Sequence, residues 1–218
     1  MKFTVKNLIA NILILGLLSA TATAKTREIK GQYIQPDNLF PQVKMVTNMG
    51  DMVIELDRSR AKITVDNFLG YVARKQYDNT MFHRVELDFV AQAGGFTDKY
   101  ADIEPGEKII NESGNGLKNE VGTISMAREL KPHTGTSQFF FNLADNDSLD
   151  PGRRWGYTVF GEIVEGIEVM EAIGKVEVGF DENLGYPTVP KKMLIIKQVT
   201  VLKPEPIEIK TEEEVKKP

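Results

Sequence analysis

Phe82-His83-Arg84-Val85, followed closely by Phe89-Val90-Ala91-Gln92-Ala93-Gly94, reads as two short strands joined by a tight turn. About forty residues further on stands Ser137-Gln138-Phe139-Phe140-Phe141-Asn142. Together these runs place one arginine, two glutamines and several aromatics on β-like segments. Strand alternation puts Phe140 on the face opposite Phe139 and Phe141. Phe139 and Phe141 are therefore expected in a core, with Phe140 free to wall a site. No nucleophile, thiol or metal-ligand cluster accompanies them, an unusual set for an enzyme that makes or breaks covalent bonds.

The same period extends outward. Val43 to Thr47 and Met52 to Leu56 alternate around Asn48-Met49-Gly50-Asp51, a hairpin signal. Further strand candidates are 81–85, 89–93, 122–126, 137–143, 157–163 and 193–202, separated by Gly and Asn clusters. Two helices interrupt them. The first is predicted over 65–74, with Thr64 as N-cap, Asp66 in the first turn, and Val65, Phe68, Leu69 and Val72 on one apolar face. The second is predicted over 166–173, with Ile167, Met170 and Ile173 inward and Gly174 as a stop. Many short strands with two lone helices predict a mainly β fold, a closed antiparallel barrel whose open ends the helices plug. Periodicity alone is equally compatible with a sandwich.

The 218 residues are not expected to fold as one body. Lys2 and Lys6, an apolar run from Leu8 to Leu18, and Ala22-Thr23-Ala24 form the pattern of a cleaved secretory signal peptide over 1–24. The competing reading is a membrane anchor, but the run is shorter than the ~20 residues a spanning helix needs. A polar lead-in follows over 25–42, then a domain over 43–202, then a charged tail over 203–218 containing Glu212-Glu213-Glu214. There is no cysteine, which excludes thiol catalysis, disulfides and cysteine metal sites. The net charge of −4 becomes more negative once Lys2 and Lys6 are removed. An acidic domain without a basic stripe argues against nucleic-acid binding.

Phe82-His83-Arg84, Phe89-Val90-Ala91-Gln92, Gly122-Thr123-Ile124-Ser125-Met126-Ala127, Ser137-Gln138-Phe139-Phe140 and Val159-Phe160-Gly161 together resemble the cyclophilins, the peptidyl-prolyl cis-trans isomerases. The resemblance covers about residues 43–202. Arg128, Asn142-Leu143-Ala144-Asp145-Asn146 and Gly156-Tyr157 are similar to the bacterial periplasmic branch, in agreement with the leader. The resemblance implies an eight-stranded antiparallel barrel capped by two helices. It implies Arg84, Phe89, Gln92 and Phe140 as catalytic residues, and Val90, Ala127, Arg128, Gln138, Leu149 and Tyr157 as substrate-binding residues. It implies no cofactor and no metal. The partners it implies are unfolded or loop segments of exported clients containing X-Pro, with no nucleic acid, no lasting membrane insertion and a monomeric state. A cyclophilin-fold peptide-binding module or holdase with little turnover is the alternative.

Rival motifs fail on the residues. His83 and His133 are the only histidines and lack further ligands at metal spacing, so His83 reads as a satisfied structural residue. Asp145-Asn146-Asp147 with Asp150 and Gly152 misses the register of a calcium loop. Several positions depart from the common cyclophilin pattern. Leu87-Asp88 replaces Pro-Gly, Val90 replaces methionine, Ala93 replaces glycine, and Tyr157 replaces a rim histidine. Ser148 stands where cyclosporin-sensitive members carry tryptophan. The serine removes an apolar wall and an indole donor. Cyclosporin is therefore expected to bind weakly in an inhibition titration, and nanomolar inhibition would contradict that.

Overall fold

The computed structural model describes residues 30–204. The expected leader and residues 205–218 of the expected tail lie outside the described part. Eight strands form a closed antiparallel barrel: β1 (Gln42–Thr47), β2 (Asp51–Leu56), β3 (Thr80–Glu86), β4 (Val90–Thr97), β5 (Thr123–Met126), β6 (Phe139–Asn142), β7 (Thr158–Glu165) and β10 (Ile195–Val201). They run around the barrel in the order β1-β10-β3-β4-β6-β5-β7-β2, and β2 pairs back to β1. A separate hairpin, β8 (Val178–Asp181) with β9 (Tyr186–Pro190), was not foreseen in the sequence.

The barrel is filled from alternate positions. Val43, Met45, Met52, Ile54, Ile124, Phe139, Phe141 and Phe160 are all buried in one core. Helix α1 (Lys62–Ala73) lays Val65, Phe68, Leu69 and Val72 into that core, the apolar face the sequence predicted. Phe68 is its hub, with ring centroids 5.1 Å from Tyr77, 5.4 Å from Phe139 and 5.3 Å from Phe160. The helix starts earlier than expected, and Thr64 is not its N-cap. Ala61 precedes the first turn and offers no side-chain cap. The carboxylate of Glu112, remote in sequence, instead accepts from the backbone N–H groups of Ile63 and Thr64 at 3.1 and 2.8 Å. That acceptor replaces a local cap and puts negative charge at the helix N-terminus, where it is favoured. Helix α2 (Ile167–Gly174) buries Met170 and Ile173, but Ile167 is 41% exposed, contrary to expectation. Gly174 is the last helical residue, and a Cβ there would press on Leu143 at 3.1 Å.

Ahead of the barrel, a short 3-10 turn (Gly31–Tyr33) lies on α1 so closely that a Cβ on Gly31 would meet the Asp66 carbonyl oxygen. Arg58, only 4% exposed, anchors this segment. It donates to the carbonyls of Ile34, Gln35 and Asn38 and pairs with Asp66 at 2.9 Å.

Phe68→Ala removes the ring on which three others pack. It is expected to cost roughly 3–5 kcal/mol of unfolding free energy, measured by chemical denaturation. A loss under 1 kcal/mol would show that the aromatic cluster does not carry the core.

Candidate functional site

The site begins with strand register. Arg84 faces Gln92 across β3 and β4, Gln92 faces Phe140 across β4 and β6, and Phe140 faces Ser125 across β6 and β5. These four lie in one row on the outside of the barrel. The register shifts between Phe82 and Arg84, so two residues of β3 oppose one step of β4. This bulge lets Phe82 and Val85 both reach the core, while Arg84 points out and His83 is re-aimed.

Above the row opens a recess of about 390 Å³, lined by Arg84, Phe89, Val90, Gln92, Ala127, Arg128, Phe140, Leu149 and Tyr157. Nine of the ten site residues expected from the resemblance therefore converge on one hollow. The tenth, Gln138, is not on its wall. It sits beside Gln92, whose side-chain amide donates to its Oε1 at 2.8 Å. Two lining residues, His83 and Tyr186, were not anticipated there. Tyr186 comes from the β8–β9 hairpin, and its ring lies 6.1 Å from that of His83.

One end of the recess is apolar. Val90, Ala127 and Phe140 form a small buried cluster with Phe89, Leu149 and Tyr157 against it, separate from the barrel core. The rings of Phe140 and Tyr157 meet edge-on at 5.5 Å. A buried polar network holds this end in place. Asn146 donates to the carbonyl of Phe89 at 2.9 Å and to Asn142 Oδ1 at 2.8 Å, and Asn142 donates to Thr123 Oγ1 at 2.9 Å. Asp150 accepts from the backbone N–H of Asn119 at 2.8 Å, and the backbone N–H of Tyr157 donates to the Leu149 carbonyl at 2.9 Å. Asn146 and Asp150 thus tie the loop that carries Leu149 to Phe89, Asn142 and Asn119. No metal-holding group of acidic or histidine side chains occurs among the described residues.

The other end is polar. Arg84 donates from Nε and Nη2 to Glu86 Oε1 at 3.0 and 2.8 Å, and from Nη1 to Gln92 Oε1 at 3.2 Å. Its guanidinium carbon stands 5.7 Å from the centre of the Phe89 ring. Three of the five N–H groups of an arginine are thereby engaged, and the other two have no partner among the described residues. Gln92 orients the guanidinium without neutralising it. Glu86 does carry opposite charge, but at 37% exposure it forms a water-screened pair.

His83 lies behind Arg84, 2% exposed, with its ring edge on Phe96 at 5.1 Å. It is structural and only partly satisfied: its Nδ1 has no partner within hydrogen-bond geometry among the described residues, although Gln138 and the Met81 backbone lie close enough to oppose part of the lowering of its pKa. Burial, reinforced by the charge of Arg84, lowers its pKa to about 4. It is therefore neutral at pH 7 and adds no second positive charge beside the guanidinium.

The comparisons with known proteins agree with this geometry. Residues 42–201 match the family described as cyclophilin type peptidyl-prolyl cis-trans isomerase/CLD. Peptidyl-prolyl cis-trans isomerase A of Dickeya dadantii is 42% identical over 163 residues, covering 74% of this chain and 84% of that protein. Peptidyl-prolyl cis-trans isomerase B of Escherichia coli is 44% identical over 159 residues, covering 71% and 96%. A crystal structure of a Cryptosporidium parvum cyclophilin type isomerase superposes with a TM-score of 0.64 at 27% identity, covering 76% of this chain and 99% of that one. A second structure of that protein, determined in the presence of the dipeptide Ala-Pro, gives a TM-score of 0.62. The fold and recess are those of a cyclophilin. The chain belongs to the cyclophilin-type peptidyl-prolyl cis-trans isomerases, enzymes that rotate prolyl peptide bonds.

The histidine has a pH signature. Its folded pKa of about 4 lies below the ordinary 6.5, so between these values the unfolded chain binds the extra proton. Its contribution is complete above pH 6.5 and is lost as pH falls toward 4, by roughly 3 kcal/mol at most. Unfolding free energies at pH 7 and pH 4.5 are expected to differ less in His83→Leu than in wild type. An identical pH dependence would contradict the buried neutral imidazole.

Proposed function

We propose that Arg84 accelerates X-Pro rotation by donating to the prolyl nitrogen of a twisted amide whose ring is seated against Phe140. A peptide C–N bond is planar by resonance, and turning it costs ~18–20 kcal/mol. Before proline the two planar isomers differ by only about 0.5–1 kcal/mol, yet they interconvert over tens to hundreds of seconds. A catalyst therefore needs only to favour the state between them. In that state the nitrogen is pyramidal and carries a localised lone pair. A fixed, permanently charged donor binds it more tightly than either planar form.

The observation that carries this reading is the pair of uncommitted guanidinium N–H groups at the edge of an apolar recess large enough for a prolyl ring. In it Phe89, Val90, Phe140, Leu149 and Tyr157 form the socket. Gln92 holds the guanidinium in aim, with Gln138 behind it, and the segment at Ala127 and Arg128 borders the peptide chain. No step requires a nucleophile, a metal or a cofactor. The signal-like leader supports a periplasmic enzyme acting on unfolded or loop segments of exported clients, and cleavage after Ala24 is its expected mark.

A protease-coupled assay on an Ala-Pro peptide tests the mechanism. Arg84→Ala is expected to lower kcat/KM by roughly 10²–10³-fold while peptide binding survives. If wild type and variant are equally slow, the chain is a peptide-binding module that uses the recess without turnover.

A further inference from the structure

We infer that the cationic cleft next to the recess, built on Arg128, Arg153, Arg154 and Trp155, binds an acidic stretch flanking the X-Pro bond. This enzyme would then favour prolines embedded in acidic sequence. The inference rests on the isomerase reading and names the substrate class that reading leaves open.

The cleft, of about 860 Å³, adjoins the recess directly, because Arg128, Leu149 and Tyr157 line both. An extended chain advances ~3.3–3.6 Å per residue, so a peptide held at its proline brings the next few residues over this surface. The wall between the two hollows is firm. The Arg128 guanidinium lies 4.4 Å from the centre of the Tyr157 ring and donates to the carbonyls of Trp155 at 2.7 Å and Gly156 at 3.2 Å. Trp155 is held further by His133, whose ring it meets edge-on at 5.0 Å.

The charge of the cleft is not internally balanced. Neither the Arg153 nor the Arg154 guanidinium has a hydrogen-bond or ion-pair partner among the described residues. Its two acidic members are already engaged, Asp150 by Asn119 and Lys118 and Glu129 by Lys108 at 3.6 Å. A chain of net charge −4 thus presents unpaired positive charge next to its substrate recess. The cleft also carries apolar surface, with Leu130 fully exposed and Trp155 51% exposed. Unpaired guanidinium groups beside an open indole suit a segment of carboxylates interspersed with apolar side chains.

Trp155 is the only tryptophan, so its fluorescence reports on this site without a label. The full chain would be titrated at low salt with three peptides that share a central Ala-Pro and carry Glu, Ala or Lys flanks. Glu flanks are expected to bind about fivefold more tightly than Lys flanks, the scale of two exposed charge pairs. The difference should shrink in 0.5 M salt. The exposed double variant Arg153→Glu, Arg154→Glu should reverse the order at unchanged Tm. Equal affinities in wild type, or an order the double variant leaves intact, would overturn the inference. So would a preference seen only after deletion of 205–218, since the chain's own acidic tail would then be the occupant. Isomerase failure reads separately, as no acceleration on any of the three peptides.

Discussion

The site depends on two neighbouring rows of cross-strand partners. Val85, Ala91, Phe141 and Ile124 pair across β3, β4, β6 and β5 and point into the barrel. One step along, Arg84, Gln92, Phe140 and Ser125 pair across the same strands and point out. Side chains alternate with a period of two, so a slip of one residue would drive an arginine and a glutamine into the core and expose Phe141. Core packing thus fixes the register, and the register sets the guanidinium beside the aromatic wall. The β3–β4 register shifts twice, between Thr80 and Phe82 and again between Phe82 and Arg84. The second shift, at His83, serves both demands by keeping Phe82 buried while Arg84 stays outside.

Electrostatics refine what register sets. The neighbours that aim Arg84 from the inner side are neutral: Gln92 directly and Gln138 behind it. The formal counter-charge, Glu86, sits at the rim. The guanidinium is therefore aimed by a neutral partner on the inner side, while its carboxylate partner at the rim is screened by water, so positive charge remains for whatever enters the recess. A neutral His83 belongs to the same design, since a charged imidazole there would repel the arginine it supports. The apolar half is supported differently, by an asparagine network that ties Phe89, Asn142 and Asn146 into one unit.

Much of this was legible in the residues. All eight barrel strands show as short alternating or apolar runs, and the split of Phe139 and Phe141 from Phe140 follows from alternation alone. What was missed shares a cause, namely partners far away in sequence. Thr64 looks like a cap, but Glu112 supplies the acceptor from another loop. Ile167 fits an apolar stripe, yet it opens the helix at the barrel's edge, where its tip lies against Gly122 and it stays 41% exposed. The β8–β9 hairpin was hidden because Pro187 and Pro190 interrupt Tyr186–Pro190, and proline cannot donate within a ladder. With the hairpin went Tyr186, whose place on the recess wall no local pattern announces. The local hint was the turn signal Asp181-Glu182-Asn183-Leu184-Gly185 between the two short strands. His83 reads from the sequence as a satisfied structural residue, but its Nδ1 lacks a partner among the described residues, and that depends on packing that only the fold defines.

The most direct measurement is isotope-edited NMR of the chain with an Ala-Pro peptide. The expected result is exchange cross-peaks between cis and trans peptide, together with Overhauser contacts from the prolyl ring to Phe89, Phe140 and Leu149. Accelerated exchange with the ring seated elsewhere, or a ring seated in the recess without exchange, would contradict a mechanism built on a guanidinium aimed at a prolyl nitrogen.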